Sequence, residues 1–103
     1  MKSRYSSFQK AIKRKDKFFV YIVQCKDGTY YTGYTNDLEI RISLHNSGHG
    51  AKFLKGKLPV RLVYAKEYRY YKNVLRGERK IKKLTRNQKE RLIKNYNENI
   101  MQD

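Results

Sequence analysis

Apolar residues along the chain follow a two-residue period in some segments and a helical period in others. Phe18 to Cys25 is an apolar run rich in β-branched residues, and Thr29 to Gly33 is a second run rich in Tyr and Thr. Asp27-Gly28 lies between them, and this dipeptide between two such runs is the strongest short-range signal of a hairpin. The pattern therefore predicts two adjacent strands joined by a tight turn.

A third strand is predicted from Arg61 to Tyr68. Its residues alternate in polarity, so we expect Leu62 and Tyr64 on one face and Val63 and Ala65 on the other. Because this strand follows a helix and a long loop, it can join the hairpin at either edge.

Helical spacing begins directly after the hairpin. Asn36 followed three residues later by Glu39 has the form of a capping box, which predicts a helix with Asn36 as its N-cap. The helix should run to about Asn46 and turn Leu38 and Ile42 towards the core. The glycine-rich and basic stretch that follows, up to the single proline, is predicted to be a loop.

Two more helices are predicted in the last third of the chain. Helical spacing of apolar residues runs from about Tyr71 to Leu84. Thr85 and Gln88 then form a second capping box, which predicts another helix start. The apolar residues after it recur at helical spacing, and they are Leu92, Ile93, Tyr96 and Ile100. This stripe should pack the last helix on the sheet.

The resulting order, β-β-α-β-α-α, predicts an α+β domain in which helices flank a small three-stranded sheet, either antiparallel or mixed. A chain of 103 residues is expected to form one such domain, over residues 18–100. Residues 1–17 carry seven cations and one acid, and we interpret them as a basic arm with a short helix from Phe8 to Lys15. The single cysteine, Cys25, excludes an internal disulfide, and its place at the end of a strand indicates a packing role.

The charge balance points to a polyanionic partner. The chain has 25 Lys and Arg against 9 Asp and Glu, a formal charge of +16 and a pI near 10.1. Nucleic acid is the first candidate, with DNA favoured over RNA. The longest apolar run, Phe18 to Val23, is far shorter than the ~20 residues of a membrane span, and no signal-peptide core follows the N-terminal charges. We therefore expect a cytoplasmic, nucleoid-associated protein with no membrane contact.

Glu78 stands out as an acid in a basic helix. It lies four residues after Val74 and three before Ile81, so helical spacing places it on the apolar face. A carboxylate there costs free energy unless it is paired or binds a metal. Two interpretations stay open: an ion pair with Arg41 or a neighbouring cation, or an oxygen ligand for Mg²⁺.

Four other residues could take part in phosphodiester chemistry. Arg41 and His45 are four apart and should share one side of the first helix, where a guanidinium can clamp a phosphate. Tyr21 and Tyr31 fall in adjacent strands, and the positive field of the domain should favour the phenolate form. Each has a structural alternative: a solvated Arg, a hydrogen-bonded His, and tyrosines that pack in a sheet. Gly33 is expected at the end of a strand, where another group approaches the backbone closely.

Taken together, these motifs resemble a known family. The residues that carry the resemblance are, in order, Phe19-Val20-Tyr21, Tyr31-Thr32-Gly33, Arg41, His45 and Glu78. In order and spacing they are similar to the GIY-YIG nuclease domain, and the resemblance covers roughly Phe18 to Leu84. It is greatest with the small stand-alone members. Phe19 replaces the first Gly of the motif that names the family, and Thr32 replaces the second Ile.

The resemblance implies a central three-stranded sheet and one divalent-metal site, for Mg²⁺ or Mn²⁺. It assigns Tyr21 and Tyr31 to the catalytic centre, one of them as general base, and we prefer Tyr21. It assigns Arg41 to the phosphate and leaving-group side. By the same resemblance His45 supports the tyrosine or the attacking water, and Glu78 binds the metal.

Further residues are predicted to contact the nucleic acid, and all of them are basic. They are Lys52, Lys55, Lys57, Arg76, Arg79, Lys80 and Lys83. Some members of the family also use a late Asn, for which Asn87 and Asn95 are both candidates.

The leading hypothesis is a divalent-metal-dependent endonuclease that hydrolyses phosphodiester bonds in DNA, in repair, recombination or structure-directed cleavage. The alternative is a DNA- or RNA-binding module that does not cleave, because a charge of +16 with exposed Tyr and Arg suffices for binding. A ribosome- or RNA-associated structural protein is a third hypothesis. Related domains usually rely on additional domains to choose the target, so we expect this domain either to be weakly specific or to depend on a protein partner for target specificity.

Overall fold

The computed structural model describes residues 17–102. The basic arm up to residue 16, with the helix predicted from Phe8 to Lys15, lies outside the described residues. The elements are β1 (Phe18–Gln24), β2 (Tyr30–Thr35), α1 (Leu38–Asn46), β3 (Arg61–Tyr68), α2 (Tyr71–Lys82) and α3 (Arg86–Gln102), with a 3-10 turn at Lys52–Leu54. This is the predicted order β-β-α-β-α-α. Over the same range, no helix combines the length and the apolar character needed to cross a membrane.

The sheet is antiparallel throughout, with strand order β2-β1-β3. Asp27 shapes the hairpin turn because its carboxylate accepts hydrogen bonds from the Thr29 backbone N–H (3.0 Å) and hydroxyl (2.6 Å). Gly28 has a φ of +90°, a conformation that glycine adopts without steric cost. The predicted hairpin is confirmed, and β1 is the central strand.

Burial of β1 on both faces explains its continuous apolar run. Alternate residues face α2 and α3 in a first cluster formed by Val20, Ile22, Val63, Tyr64, Val74, Ile81 and Ile93. The residues between them lie on the other face in a second cluster formed by Tyr21, Val23, Cys25, Leu54 and Val60, with Leu38 and Ile42 packed against it. The packing roles predicted for Cys25 and for the apolar side of α1 are therefore confirmed.

A β-bulge in β3 contradicts the predicted alternation of that strand. Ile22 pairs with Tyr64 and Val23 pairs with Leu62, so Val63 is an extra residue in β3. Paired residues of antiparallel strands point to the same face, and Ile22 and Val23 point to opposite faces. Leu62 and Tyr64 therefore lie on opposite faces, whereas Val63 and Tyr64 pack together in the first cluster.

Two helix starts were predicted from capping boxes, and one needs correction. The N-cap of α1 is Asp37 and not Asn36, because the Asp37 carboxylate accepts the Ile40 backbone N–H at 3.0 Å. Both residue types cap well, so the sequence pattern allowed either register. At α3 the box is confirmed: the Thr85 N–H donates to Gln88 Oε1 (2.9 Å), and the Gln88 N–H donates to Thr85 Oγ1 (3.2 Å).

Candidate active site

A buried tyrosine–histidine pair lies on the α1 side of the sheet. Tyr21 extends from the middle of β1, and His45 extends from the last turn of α1. The Tyr21 hydroxyl and His45 Nε2 are 2.7 Å apart, and the two residues are only 2% and 1% exposed. A hydrogen bond this short between buried groups fixes both side chains in one arrangement.

Gly33 makes room for the Tyr21 hydroxyl. Gly33 pairs with Tyr21 across the two strands, and a Cβ at this position would lie 2.6 Å from the Tyr21 oxygen. That separation is well inside van der Waals contact, so any side chain here would push the phenol away. The expected close approach at Gly33 is confirmed, although the residue lies inside β2 and not at its end.

Gly50 plays the same part for His45, whereas the sequence predicts only a loop there. A Cβ at Gly50 would overlap His45 Nδ1. Within the described part of the chain, Nδ1 has no hydrogen-bond partner, although it is fully buried. The only signal in the sequence was the Gly48-His49-Gly50 motif, and nothing in it shows that the second glycine packs on His45.

We expect Gly33→Ala and Gly50→Ala to displace the Tyr21–His45 pair. Each should lower the free energy of unfolding by roughly 1–3 kcal/mol, the usual cost of overpacking a well-packed site, and denaturant unfolding measures it. Gly48→Ala measures the cost of a positive φ (+87°) without a steric clash, because its Cβ would meet nothing within 4 Å. If Gly50→Ala is as stable as wild type, the steric role of Gly50 is wrong.

Tyr31 completes an aromatic cluster around the pair. Its ring centroid is 6.5 Å from that of Tyr21 and 5.7 Å from that of His45, which it meets edge-on. On its other side, Tyr31 stacks on Phe53. The two tyrosines predicted from adjacent strands therefore lie side by side.

Arg41 and Glu78 bring opposite charges to the cluster. Arg41 lies one turn before His45 on α1 and is half-buried. The Glu78 side chain, from α2, is 18% exposed and pairs with Lys82 at 3.3 Å across one helical turn. Both charges are close enough to Tyr21 to shift the pKa of its phenol in opposite directions. The structure thus brings together all five residues predicted for the site.

The positive field was expected to favour the phenolate of Tyr21, and this expectation is wrong for the protein by itself. Burial raises the pKa of Tyr21 well above its usual value near 10, with a further contribution from Tyr31, and Arg41 opposes them only in part. Burial also lowers the pKa of His45, and Arg41 lowers it further. At pH 7 the pair is therefore a neutral phenol beside a neutral imidazole.

Glu78 is the carboxylate available to a metal at this site. Within residues 17–102, no group of three or more His, Cys, Asp or Glu side chains gathers to form a cation cage. Mg²⁺ does not require one, because it is commonly held by one or two carboxylates, waters and substrate phosphates. An inward, partly exposed carboxylate beside the tyrosines fits such a site.

A second tyrosine pair lies near Glu78. The sequence did not predict it. The hydroxyls of Tyr34, on β2, and Tyr71, at the start of α2, are 3.1 Å apart. The hydrogen bond with Tyr71 raises the pKa of Tyr34, as does burial, and the charges of Glu78 and Arg41 also act on it. With ten tyrosines in the chain, nothing in the sequence singled out these two.

The basic residues predicted to bind nucleic acid differ in how free their charges are. Six of them are exposed, namely Lys52, Lys55, Arg76, Arg79, Lys80 and Lys83. Lys57 differs because its ammonium pairs with Asp27 at 2.8 Å. Asn87 and Asn95 are exposed on α3, which packs on β3 through the first cluster, on the face of the sheet opposite Tyr21 and His45.

The chain matches a family model described as the GIY-YIG catalytic domain over residues 17–99. A UPF0213 protein of Staphylococcus aureus is 49% identical over 79 residues, which are 77% of this chain and 96% of the relative. The solution NMR structure of a Bacillus halodurans UPF0213 protein shares 44% identity and a TM-score of 0.51 over 76% of this chain and 83% of its own. An E. faecalis protein, also solved by NMR, shares 35% identity and a TM-score of 0.56 over 82% and 90%. The family match includes every element that carries a residue of the site.

Proposed function

Because this chain belongs to the GIY-YIG family, whose nucleases act on nucleic acid, we propose that it is a divalent-metal-dependent endonuclease that hydrolyses phosphodiester bonds in DNA. The observation that carries the proposal is the buried Tyr21–His45 hydrogen bond, with Arg41 and Glu78 beside it. A protein that only binds DNA needs no such assembly, since exposed cations are sufficient.

The tautomer of His45 follows from its unpartnered nitrogen. A buried N–H without an acceptor is rare in proteins, so we place the ring hydrogen on Nε2 and leave Nδ1 as a bare lone pair against Gly50. His45 then donates to the Tyr21 oxygen. A hydrogen bond to the charged form favours that form, so His45 and Arg41 both stabilise a phenolate when Tyr21 loses its proton.

The reaction then assigns a role to each residue. The Tyr21 phenol first loses its proton to solvent, and the phenolate oxygen then takes a proton from the attacking water while His45 holds that oxygen in place. Arg41 binds a phosphate oxygen and stabilises the charge that develops there. Glu78 would hold one Mg²⁺ or Mn²⁺ ion, which when bound offsets the negative charge of the phosphate. Tyr31 lines the space beside Tyr21 and orients the water or the phosphate.

One observation favours the alternative of a module that binds without cleaving. The raised pKa of Tyr21 keeps its phenol protonated in the protein by itself. A general base of this kind works only if the bound substrate and ion reduce that pKa. The cleavage assay below separates the two functions.

The decisive experiment is incubation of the purified protein with Mg²⁺ or Mn²⁺ and a panel of single-stranded, duplex, flapped and branched DNA, with matching RNA. We expect cleavage of at least one DNA that stops with EDTA and is lost in the Glu78→Gln variant prepared in parallel. Binding without cleavage across the whole panel would favour the binding module. Cleavage that survives in the variant at the wild-type rate would contradict the assignment of the metal to Glu78.

We also propose that residues 1–17 act as a basic arm on the DNA backbone. We further propose that the protein works at the nucleoid in the cytoplasm and that a protein partner selects the target.

Deleting the arm removes seven cations. Because each neutralised phosphate contributes a slope of about 0.9 to the dependence of log K on log salt, the deletion should make this dependence shallower and weaken binding to all sequences. Fluorescence anisotropy over a salt series measures both quantities. An unchanged slope would leave the exposed cations of α2 and α3 as the main DNA-binding surface.

A further inference from the structure

The 3-10 turn at Lys52–Leu54 directs two neighbouring apolar side chains in opposite directions. Leu54 is 2% exposed and belongs to the second core cluster, whereas Phe53 is 48% exposed. Single exposed apolar residues are common and need no explanation by themselves. Phe53 differs because it contacts the candidate active site and lies among cations.

Phe53 stacks on Tyr31, which belongs to the candidate active site. The two ring centroids are 5.9 Å apart and the ring planes differ by 26°. Tyr31 in turn meets His45 edge-on, so Phe53 extends the aromatic cluster outwards from the site. A flat group stacked on Phe53 would continue this series of rings, as the next ring after Tyr31 and Phe53.

The turn is held firmly in position. The side chain of Asn46, at the end of α1, both donates to the Val60 carbonyl (3.1 Å) and accepts the Val60 N–H (2.7 Å). The Lys26 N–H donates to the Lys57 carbonyl at 2.9 Å, which ties the loop to the hairpin. Phe53 is therefore presented by an anchored loop.

Cations surround this exposed ring. Lys52 and Lys55 are exposed on either side of it and form no ion pair within the described residues. The Lys57 ammonium lies over the Phe53 ring, 4.8 Å from its centroid, and pairs with Asp27 at 2.8 Å. A base that stacks on the ring face under Lys57 must displace this ammonium, which costs little because the ion pair is partly exposed. Nearly half of Phe53 stays exposed with Lys57 in this place. A cavity of about 380 Å³ opens beside the turn, lined by Lys52, Lys55 and His45 among others.

We propose that Phe53 is a stacking platform for an unpaired nucleobase of the DNA, adjacent to the phosphate that is cleaved. A flat apolar ring between ammonium groups matches a nucleotide, which has an aromatic base and an anionic phosphate. A base inside a duplex has both faces covered by its neighbours, so only an unpaired or flipped base can stack on Phe53. This inference rests on the proposed function and extends it: the enzyme prefers DNA with unpaired bases at or next to the cleavage point.

The absence of tryptophan from the chain allows a direct test of binding. Phe53→Trp introduces a fluorophore at the platform, and stacking by a base should quench it. We expect quenching by oligo(dT) and much less by an abasic strand of the same length and charge, or by a blunt duplex. Tyr70→Trp, at another exposed aromatic position, is the control and should respond equally to both single strands. Equal quenching of the Phe53→Trp protein by the abasic strand would overturn the proposal.

A substitution series tests the preference itself. Phe53→Leu keeps an apolar side chain without a π face, and Phe53→Tyr keeps the ring. We expect Phe53→Leu to weaken binding to single-stranded DNA by roughly 5- to 100-fold, the range for one base on one aromatic ring, with Phe53→Tyr near wild type and duplex binding unchanged in both. Equal losses on single strands and duplex would overturn the stacking role.

Failure of this inference and failure of the proposed function give different results. Wild-type cleavage without base-dependent quenching leaves the nuclease and removes the platform. Base-dependent quenching without cleavage of any DNA leaves the platform and removes the nuclease.

Discussion

Glu78→Gln is expected to abolish cleavage of DNA while leaving DNA binding in the absence of metal unchanged or slightly tighter. The amide keeps the shape of the side chain and loses the negative charge that a divalent ion requires. The same charge raises the pKa of Tyr21, so its removal makes the Tyr21 phenolate easier and not harder to form. A loss of cleavage therefore cannot be attributed to Tyr21 and points to the metal. Cleavage rates with Mg²⁺ and Mn²⁺, and anisotropy in EDTA, are the measurements.

Glu90→Gln is the matched control for this prediction. Glu90 forms an i,i+4 ion pair with Arg86 at 3.0 Å, of the same kind as the pair between Glu78 and Lys82. An exposed pair of this type contributes only about 0.3–0.5 kcal/mol, so Glu90→Gln should be nearly as stable as wild type. The Glu78 carboxylate is only 18% exposed, so denaturant unfolding of Glu78→Gln is measured alongside. If Glu78→Gln cleaves at the wild-type rate, Glu78 serves the helix surface and not a metal.

Tyr21→Phe is expected to reduce cleavage by about 10²- to 10⁴-fold, the usual contribution of a positioned general base. The structure also predicts a loss of stability in this variant, which a tyrosine that only packs in a strand would not show. Removing the hydroxyl leaves His45 buried with neither ring nitrogen hydrogen-bonded, which should lower the free energy of unfolding by roughly 1–3 kcal/mol. Cleavage must therefore be measured at a temperature where denaturant unfolding shows the variant to be folded.

Tyr64→Phe provides the control for losing a buried phenol. Tyr64 is buried on the other face of the sheet, in the first cluster, and its replacement should leave cleavage within a few-fold of wild type. Arg41→Ala should lose as much cleavage activity as Tyr21→Phe does. The cleavage rate of His45→Ala should lie between that of Tyr21→Phe and that of wild type. If both Tyr21→Phe and Tyr31→Phe cleave within a few-fold of wild type, the proposed mechanism is wrong and the binding module remains.

The order of elements was predictable because it depends on local patterns. The hairpin follows from two β-rich runs around Asp27-Gly28, and the start of α3 follows from the Thr85 and Gln88 capping box. Glu78 was recognisable as an acid on an apolar helix face. Such signals span a few residues, and the physical reasons for them are turn geometry, capping and side-chain periodicity.

Contacts between distant segments were not predictable in this way. The Tyr21–His45 bond joins residues 24 apart, and Gly50 meets His45 only once the loop folds back on α1. The bulge at Val63 depends on how β3 pairs with β1, and the exposure of Phe53 depends on which neighbour enters the core.

The sequence by itself thus determined the elements of the fold and the side chains that are candidates for the site. Only the tertiary structure decided their ionisation and access, because burial sets the pKa of Tyr21 and His45 and long-range packing sets burial.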